Sequence, residues 1–141
     1  MLVDANILLY STDETSPFHE RAASWMVEAL NGPRRVGLPW LSLSAFLRIA
    51  TNPRAMTDPL SPSQAWDVVD GWLAAPASWV PHAGAGHQEI FRRLMIDGDL
   101  RAGLVSDAML AALCVEHGLD IVSADSDFAR FPEINWINPI A

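Results

Sequence analysis

Met1-Leu2-Val3-Asp4-Ala5-Asn6-Ile7-Leu8-Leu9-Tyr10 opens the chain, and Asp120-Ile121-Val122-Ser123-Ala124-Asp125-Ser126-Asp127 stands near its other end. Each is a short apolar run that stops at a carboxylate. Runs of this kind, bounded by turn-forming residues, read as buried strands, which places strands at residues 1–3 and 120–123. Residues 7–10 continue the apolar run as either strand or helix. Asp4 is the hardest residue to dismiss, because an acid inside an apolar segment is expensive to bury without a partner.

Between these two runs the pattern alternates. Ser16-Pro17 has the form of a helix start, with Ser as N-cap and Pro at the first helical position. Phe18, Ala22, Trp25, Met26, Ala29 and Leu30 then recur at helical spacing, and Asn31-Gly32-Pro33 stops them. Residues 35–38 are a candidate strand, residues 42–50 a helix ended by Thr51-Asn52-Pro53. Ser61-Pro62-Ser63-Gln64 has the spacing of a capping box, and Trp66, Val69, Trp72 and Leu73 form the apolar face that follows. Residues 79–80 are a possible strand, 87–96 a helix, and Asp97-Gly98-Asp99 a turn. Ser106 reads as the cap of a helix running to about His117, with Gly118 in the left-handed terminal position. Residues 128–131 form a turn and 135–137 an edge strand. Strands alternating with helices imply an α/β domain, a central parallel sheet flanked by helices on both faces, over residues 1–141.

Composition narrows the functions open to such a domain. Half of the 141 residues are hydrophobic and 18% are charged, enough for a core and far from disorder. A single cysteine, Cys114, excludes a disulfide scaffold and fits a reducing compartment. With no long apolar span and no secretory leader pattern, the expectation is a cytoplasmic protein with no membrane partner. All nine basic residues are arginine, so the lysine of a phosphate-binding P-loop and the lysine of Schiff-base chemistry are both missing. A net charge of −8 argues against a non-specific nucleic-acid coat.

Ligands of open α/β sheets bind beyond the carboxyl ends of the strands. Asp4 ends the first strand, Asp125 and Asp127 follow the strand near residue 122, and Asp107 lies in the first turn of the helix that feeds it. If those two strands are neighbours, four carboxylates converge. An all-oxygen donor set suits Mg²⁺ or Mn²⁺. Two unit charges ~6 Å apart repel by roughly 3 kcal/mol at an effective dielectric of 20, and a cation relieves that repulsion. Each acid also has a plainer reading: Asp107 as a helix-dipole partner, Asp125 and Asp127 as turn residues. Trp25, Trp66 and Trp72 read as core rather than as a platform for bases; Arg48, Arg54, Arg92, Arg93 and Arg101 are candidates to hold phosphates, with solvated helix faces the default reading for most of them. Gly84-Ala85-Gly86 lacks the third glycine of a dinucleotide loop, since Glu89 stands in its place.

The sequence resembles the PIN-domain ribonucleases of the VapC toxin type across essentially its whole length. The residues that carry the resemblance are Met1-Leu2-Val3-Asp4-Ala5-Asn6, Phe46-Leu47-Arg48-Ile49 within residues 43–51, Ser106-Asp107-Ala108-Met109-Leu110-Ala111-Ala112-Leu113, and Ser123-Ala124-Asp125-Ser126-Asp127-Phe128. The resemblance implies Mg²⁺-dependent RNA cleavage, with Mn²⁺ as substitute, by Asp4, Asp107 and Asp125, and with Asp127 as an accessory ligand. It also implies an antitoxin partner and a homodimer. One position departs from the family pattern: Ala45 stands where a glutamate is expected, and no acid occurs between Glu28 and Asp58. Ser42 or Ser44 is a candidate to hold a metal-bound water instead. Two rivals follow, a PIN-fold binding module that has lost turnover with that glutamate, and an aspartate-based phosphotransfer domain. The second is opposed by the absence of lysine and of an Asp-x-Asp start.

Overall fold

The structure is a computed structural model covering residues 1–141, all of which it describes. Five short strands, β1 (Leu2–Val3), β2 (Val36–Gly37), β3 (Ser78–Trp79), β4 (Ile121–Val122) and β5 (Trp136–Ile137), form one sheet. All pairings are parallel and the order is β3-β2-β1-β4-β5. Six helices surround it: α1 (Ala5–Thr12), α2 (His19–Leu30), α3 (Trp40–Ala50), α4 (Pro62–Ala74), α5 (His87–Gly98) and α6 (Leu104–His117). The expected α/β architecture is therefore present, with helices on both faces.

Side-chain alternation along the strands builds two cores. Val3 and Val122 point to one face, where they meet Ile7, Met26, Leu43, Phe46 and Trp72 from α1–α4. Leu2 and Ile121 point to the other and meet Leu94 of α5, Leu110 and Leu113 of α6, and Phe128. Strand order runs outward from β1 in both directions, so the chain switches direction between β1 and β4. That switch point is where the carboxyl ends of a doubly wound sheet leave a crevice. Leu2 pairs with Ile121 and Val3 with Val122, so Asp4 and Ser123 emerge side by side at its floor.

Several element boundaries differ from those read in the sequence. Residues 7–10 are helical, because Asp4 caps α1 directly: its Oδ1 accepts from the Ala5 amide at 2.7 Å. Ser16-Pro17 lies in a turn rather than at a helix start, and α2 begins at His19. Ser16 Oγ accepts from the Phe18 amide, and Phe18 packs edge-on against Tyr10 with ring centroids 5.2 Å apart, which delays the helix. Ser106 is inside α6; Gly103 is the cap, because Ala102 turns the chain with φ 51° one residue earlier. Trp66 is exposed, one position off the buried stripe Ala65, Val69 and Trp72. The capping box at Ser61 and Gln64 and the left-handed Gly118 (φ 67°) form as the sequence implies. No helix is long and apolar enough to cross a membrane.

Candidate metal centre

Three elements deliver carboxylates to the switch point. Asp4 ends β1, Asp107 lies in the first turn of α6, and Asp125 caps the 3-10 turn Ser126–Arg130 that carries Asp127. Asp107, Asp125 and Asp127 bring one oxygen each within 4.8 Å of one another. Asp4 borders this group without being one of the three.

A hydrogen-bond network rooted in Asp4 holds the crevice together. Asp4 Oδ2 accepts from Ser123 Oγ at 2.7 Å and from Asn6 Nδ2 at 3.2 Å. Asn6 Nδ2 also reaches Ser123 Oγ at 3.0 Å, and Asn6 Oδ1 accepts from the Ala124 amide at 3.2 Å. Ser123 Oγ in turn accepts from the Asp125 amide at 3.0 Å, and Asp125 Oδ1 from the Asp127 amide at 2.9 Å. A single chain of bonds thus runs from β1 through β4 to the two later acids. Neither Asn6 nor Ser123 stood out in the sequence as a site residue. The usable signal was their place, since each lies within two residues of an Asp at a strand end.

The acids differ in how their capacity is used. A carboxylate offers about four acceptor positions. Asp4 fills three, and Asp107 accepts no hydrogen bond from the protein. Burial raises the Asp107 carboxyl from its ordinary 3.8 to about 6, with the negative charges of Asp125, Asp4 and Asp127 adding to the effect and Arg130 opposing it. Burial also raises Asp4, against the bonds from Ser123 and Ala5 that favour its ionised form. Arg130 approaches Asp127 Oδ1 at 3.4 Å, a loose contact.

The donor set is hard oxygen throughout, with one acid wholly uncommitted and a local excess of negative charge. Those are the features a divalent cation such as Mg²⁺ or Mn²⁺ matches. Helix α3 contributes no acid. Ala45 is half-buried in its second turn, Ser42 is buried with a hydroxyl that finds no partner, and Ser44 is exposed and bonds the Leu41 carbonyl at 3.3 Å.

A sheet ordered 3-2-1-4-5 with acids gathered at its switch point defines an acidic-site α/β domain, and residues 1–134 match the family model of the PIN domain. The chain belongs to the PIN domain family. Its relatives are of the VapC type: Ribonuclease VapC37 of Mycobacterium tuberculosis is 43% identical over 99% of this chain and 97% of its own length. Ribonuclease VapC33 of the same species is 36% identical over 99% and 98%. Among solved structures, M. tuberculosis VapC20, described as a Sarcin-Ricin loop cleaving toxin, superposes with a TM-score of 0.69 at 18% identity, covering 95% of this chain and 98% of that one. VapBC2 from Rickettsia felis, bound to a promoter DNA fragment, gives 0.68 at 13% identity over 97% and 96%.

Proposed function

We propose that this protein is an endoribonuclease toxin that hydrolyses RNA phosphodiester bonds with Mg²⁺, or Mn²⁺ in its place, and is restrained by a cognate antitoxin. The observation that carries the reading is the group of three carboxylates within 4.8 Å at the switch point of a PIN domain. Relatives named as ribonucleases support the reaction class, and neighbours solved as toxin–antitoxin assemblies support the partner.

A bound divalent cation supplies Lewis-acid polarisation of the scissile phosphate and acidifies water. Asp107, which accepts no hydrogen bond from the protein, offers an oxygen to that position, and Asp125 and Asp127 complete the acidic wall. Asp4 fixes, through Ser123 and Asn6, the strand end from which Asp125 projects, and retains one unfilled acceptor position for the ion. Arg130 is placed to take up phosphate charge once Asp127 is otherwise engaged. A homodimer working in the cytoplasm belongs to the same reading. Val27 (64% exposed) and Ile96 (61%) are apolar side chains that protein contacts would cover.

The absence of any acid between Glu28 and Asp58 favours one second reading, a PIN-fold binding module without turnover. Incubating the purified protein with structured RNA, in Mn²⁺ and in EDTA, separates the two. Cleavage that needs Mn²⁺ and disappears in Asp107→Asn supports the nuclease. RNA left intact by the parent in both conditions would make the binding module correct.

A further inference from the structure

The segment between Glu28 and Asp58 lacks acids but carries Arg34, Arg35, Arg48 and Arg54, in a chain whose net charge is −8. Its helix α3 starts at the carboxyl edge of the sheet. Register pairs Leu2 with Gly37, so β1 and β2 run out along the same edge, β1 into Asp4 and β2 into Leu38-Pro39. Trp40 follows immediately. It is 44% exposed, as is Trp66 on α4, and the two indoles lie against each other with centroids 6.2 Å apart. Beside Trp40 opens a cleft of about 160 Å³ whose walls include Leu41, Pro81, His82, His87 and Met109. Met109 is two residues past Asp107 on α6. The cleft opens where β2 and β3 end at the carboxyl edge of the sheet, the edge at which Asp4 also emerges from β1.

The contents of this cleft are selective. An apolar cavity of about 150 Å³ takes one benzene-sized ring, so the space admits a single ring system and no element of secondary structure. Its wall also contains the buried Nδ1 of His87, which has no hydrogen-bond partner in the protein. Along α3, Trp40, Ser44 and Arg48 recur at i, i+4 and i+8 and are all exposed, forming one stripe that leads from the cleft. Arg48 has no acid within ion-pair distance, whereas Arg34, Arg93, Arg101 and Arg130 are each tied to one. An exposed aromatic followed by an unpaired guanidinium, on a helix that carries no acid of its own, matches a base and its phosphate.

Building on the nuclease reading above, we infer that the Trp40 cleft is a nucleobase subsite. An unpaired base of the RNA stacks on Trp40 beside the scissile bond, and Arg48 takes a neighbouring phosphate. Stacking then supplies affinity that this acidic protein cannot draw from a basic surface, and it makes Trp40 a residue that selects unpaired over paired RNA.

The test uses the full-length protein in EDTA, where cleavage is stopped, with a fluorescein-labelled oligoadenylate decamer and the same decamer carrying abasic sites as probes. Binding is followed by anisotropy and by quenching of tryptophan fluorescence. Trp40→Ala is expected to weaken oligoadenylate binding about 5- to 150-fold, and Trp40→Phe to recover most of it. Arg48→Gln should lower the salt slope by about one phosphate. Equal affinity of parent and Trp40→Ala, with unchanged melting, would overturn the inference, as would equal binding of the abasic decamer. The same holds if Trp40→Ala spares RNA binding and instead breaks the complex with the antitoxin, which would make this face a protein interface. The outcome is separable from the nuclease reading: a parent that never cleaves RNA in Mn²⁺ but loses oligoadenylate affinity in Trp40→Ala retains the subsite and loses the enzyme.

Discussion

Replacing Asp107 with Asn should stabilise the metal-free protein, the reverse of what loss of a site residue usually does to a fold. In the folded chain the Asp107 carboxyl is pushed up from 3.8 to about 6, first by burial and then by the three neighbouring acids. Its ionised form is thus disfavoured on folding. At 1.36 kcal/mol per pH unit the displacement corresponds to about 3 kcal/mol. Asp107 is partly exposed, and solvent screening reduces this to about 1–1.5 kcal/mol. The sign follows from proton linkage. The folded state binds the proton more tightly than the unfolded one, so this group destabilises progressively as pH rises from 3.8 to about 6 and by a constant amount above. Asn carries no charge and escapes the penalty.

For a domain of this size about 1 kcal/mol moves the melting temperature by roughly 3–4 °C. In EDTA at pH 7.5, Asp107→Asn should therefore melt about 3–5 °C above the parent, and the difference should shrink toward zero by pH 4. Addition of Mn²⁺ should invert the order. At 100 times its dissociation constant a ligand adds about 2.7 kcal/mol to the parent, and the variant, having lost its least committed carboxylate, should gain little. Differential scanning calorimetry across pH, with and without Mn²⁺, reads all of this. A variant that melts below the parent in EDTA, or a difference that does not change between pH 4 and 6, would refute the electrostatic account of the site.

Asp4 calls for a different result. Asp4→Ala removes the α1 cap and the acceptor of Ser123 Oγ, and should cost about 1–2 kcal/mol in urea unfolding; Asp4→Asn keeps an acceptor and should cost less while abolishing Mn²⁺-dependent RNA cleavage. Equal stability of the two variants would show that the Asp4 bonds do not hold the crevice. Ala45→Glu should lower the melting temperature in EDTA and enlarge the shift produced by Mn²⁺; equal shifts in parent and variant would mean that this position faces away from the acids. In the core, Phe46 is fully buried with its ring 4.8 Å from that of Trp72, so Phe46→Ala should cost about 3–5 kcal/mol in urea unfolding. A loss under 1 kcal/mol would place the stability of the α1–α4 face elsewhere.

Features set by neighbours in the chain could be read from the sequence. The Ser61–Gln64 box, the Gly118 terminus and the two strands that end at Asp4 and near Asp125 depend on a few adjacent residues, and each forms. Features decided by backbone conformation or by distant partners could not. Ser106 has the chemistry of a cap, yet the turn at Ala102 gives that place to Gly103. Trp66 shares its helix with a buried stripe, and only the position of α4 against Trp40 reveals that its ring stays outside. The adjacency of β1 and β4, on which the convergence of the acids depends, is a matter of topology: 117 residues separate Asn6 from Ser123, whose side chains meet at 3.0 Å.

The four acids named from the sequence do not share one role. Asp4 is the most bonded of them, accepting from Ala5, Asn6 and Ser123. A carboxylate with three of about four acceptor positions filled has one left for an ion. Asp107, which the protein leaves without a donor, stands at the opposite extreme, and its raised proton affinity measures how poorly the fold alone satisfies it. Asp125 and Asp127 fall between, joined by one backbone bond and loosely screened by Arg130. The crevice is thus a rigid frame built on Asp4 that presents an unsatisfied charge on Asp107. In the proposed reading a divalent cation gives that charge its partner, and α3 adds no fifth acid to the site.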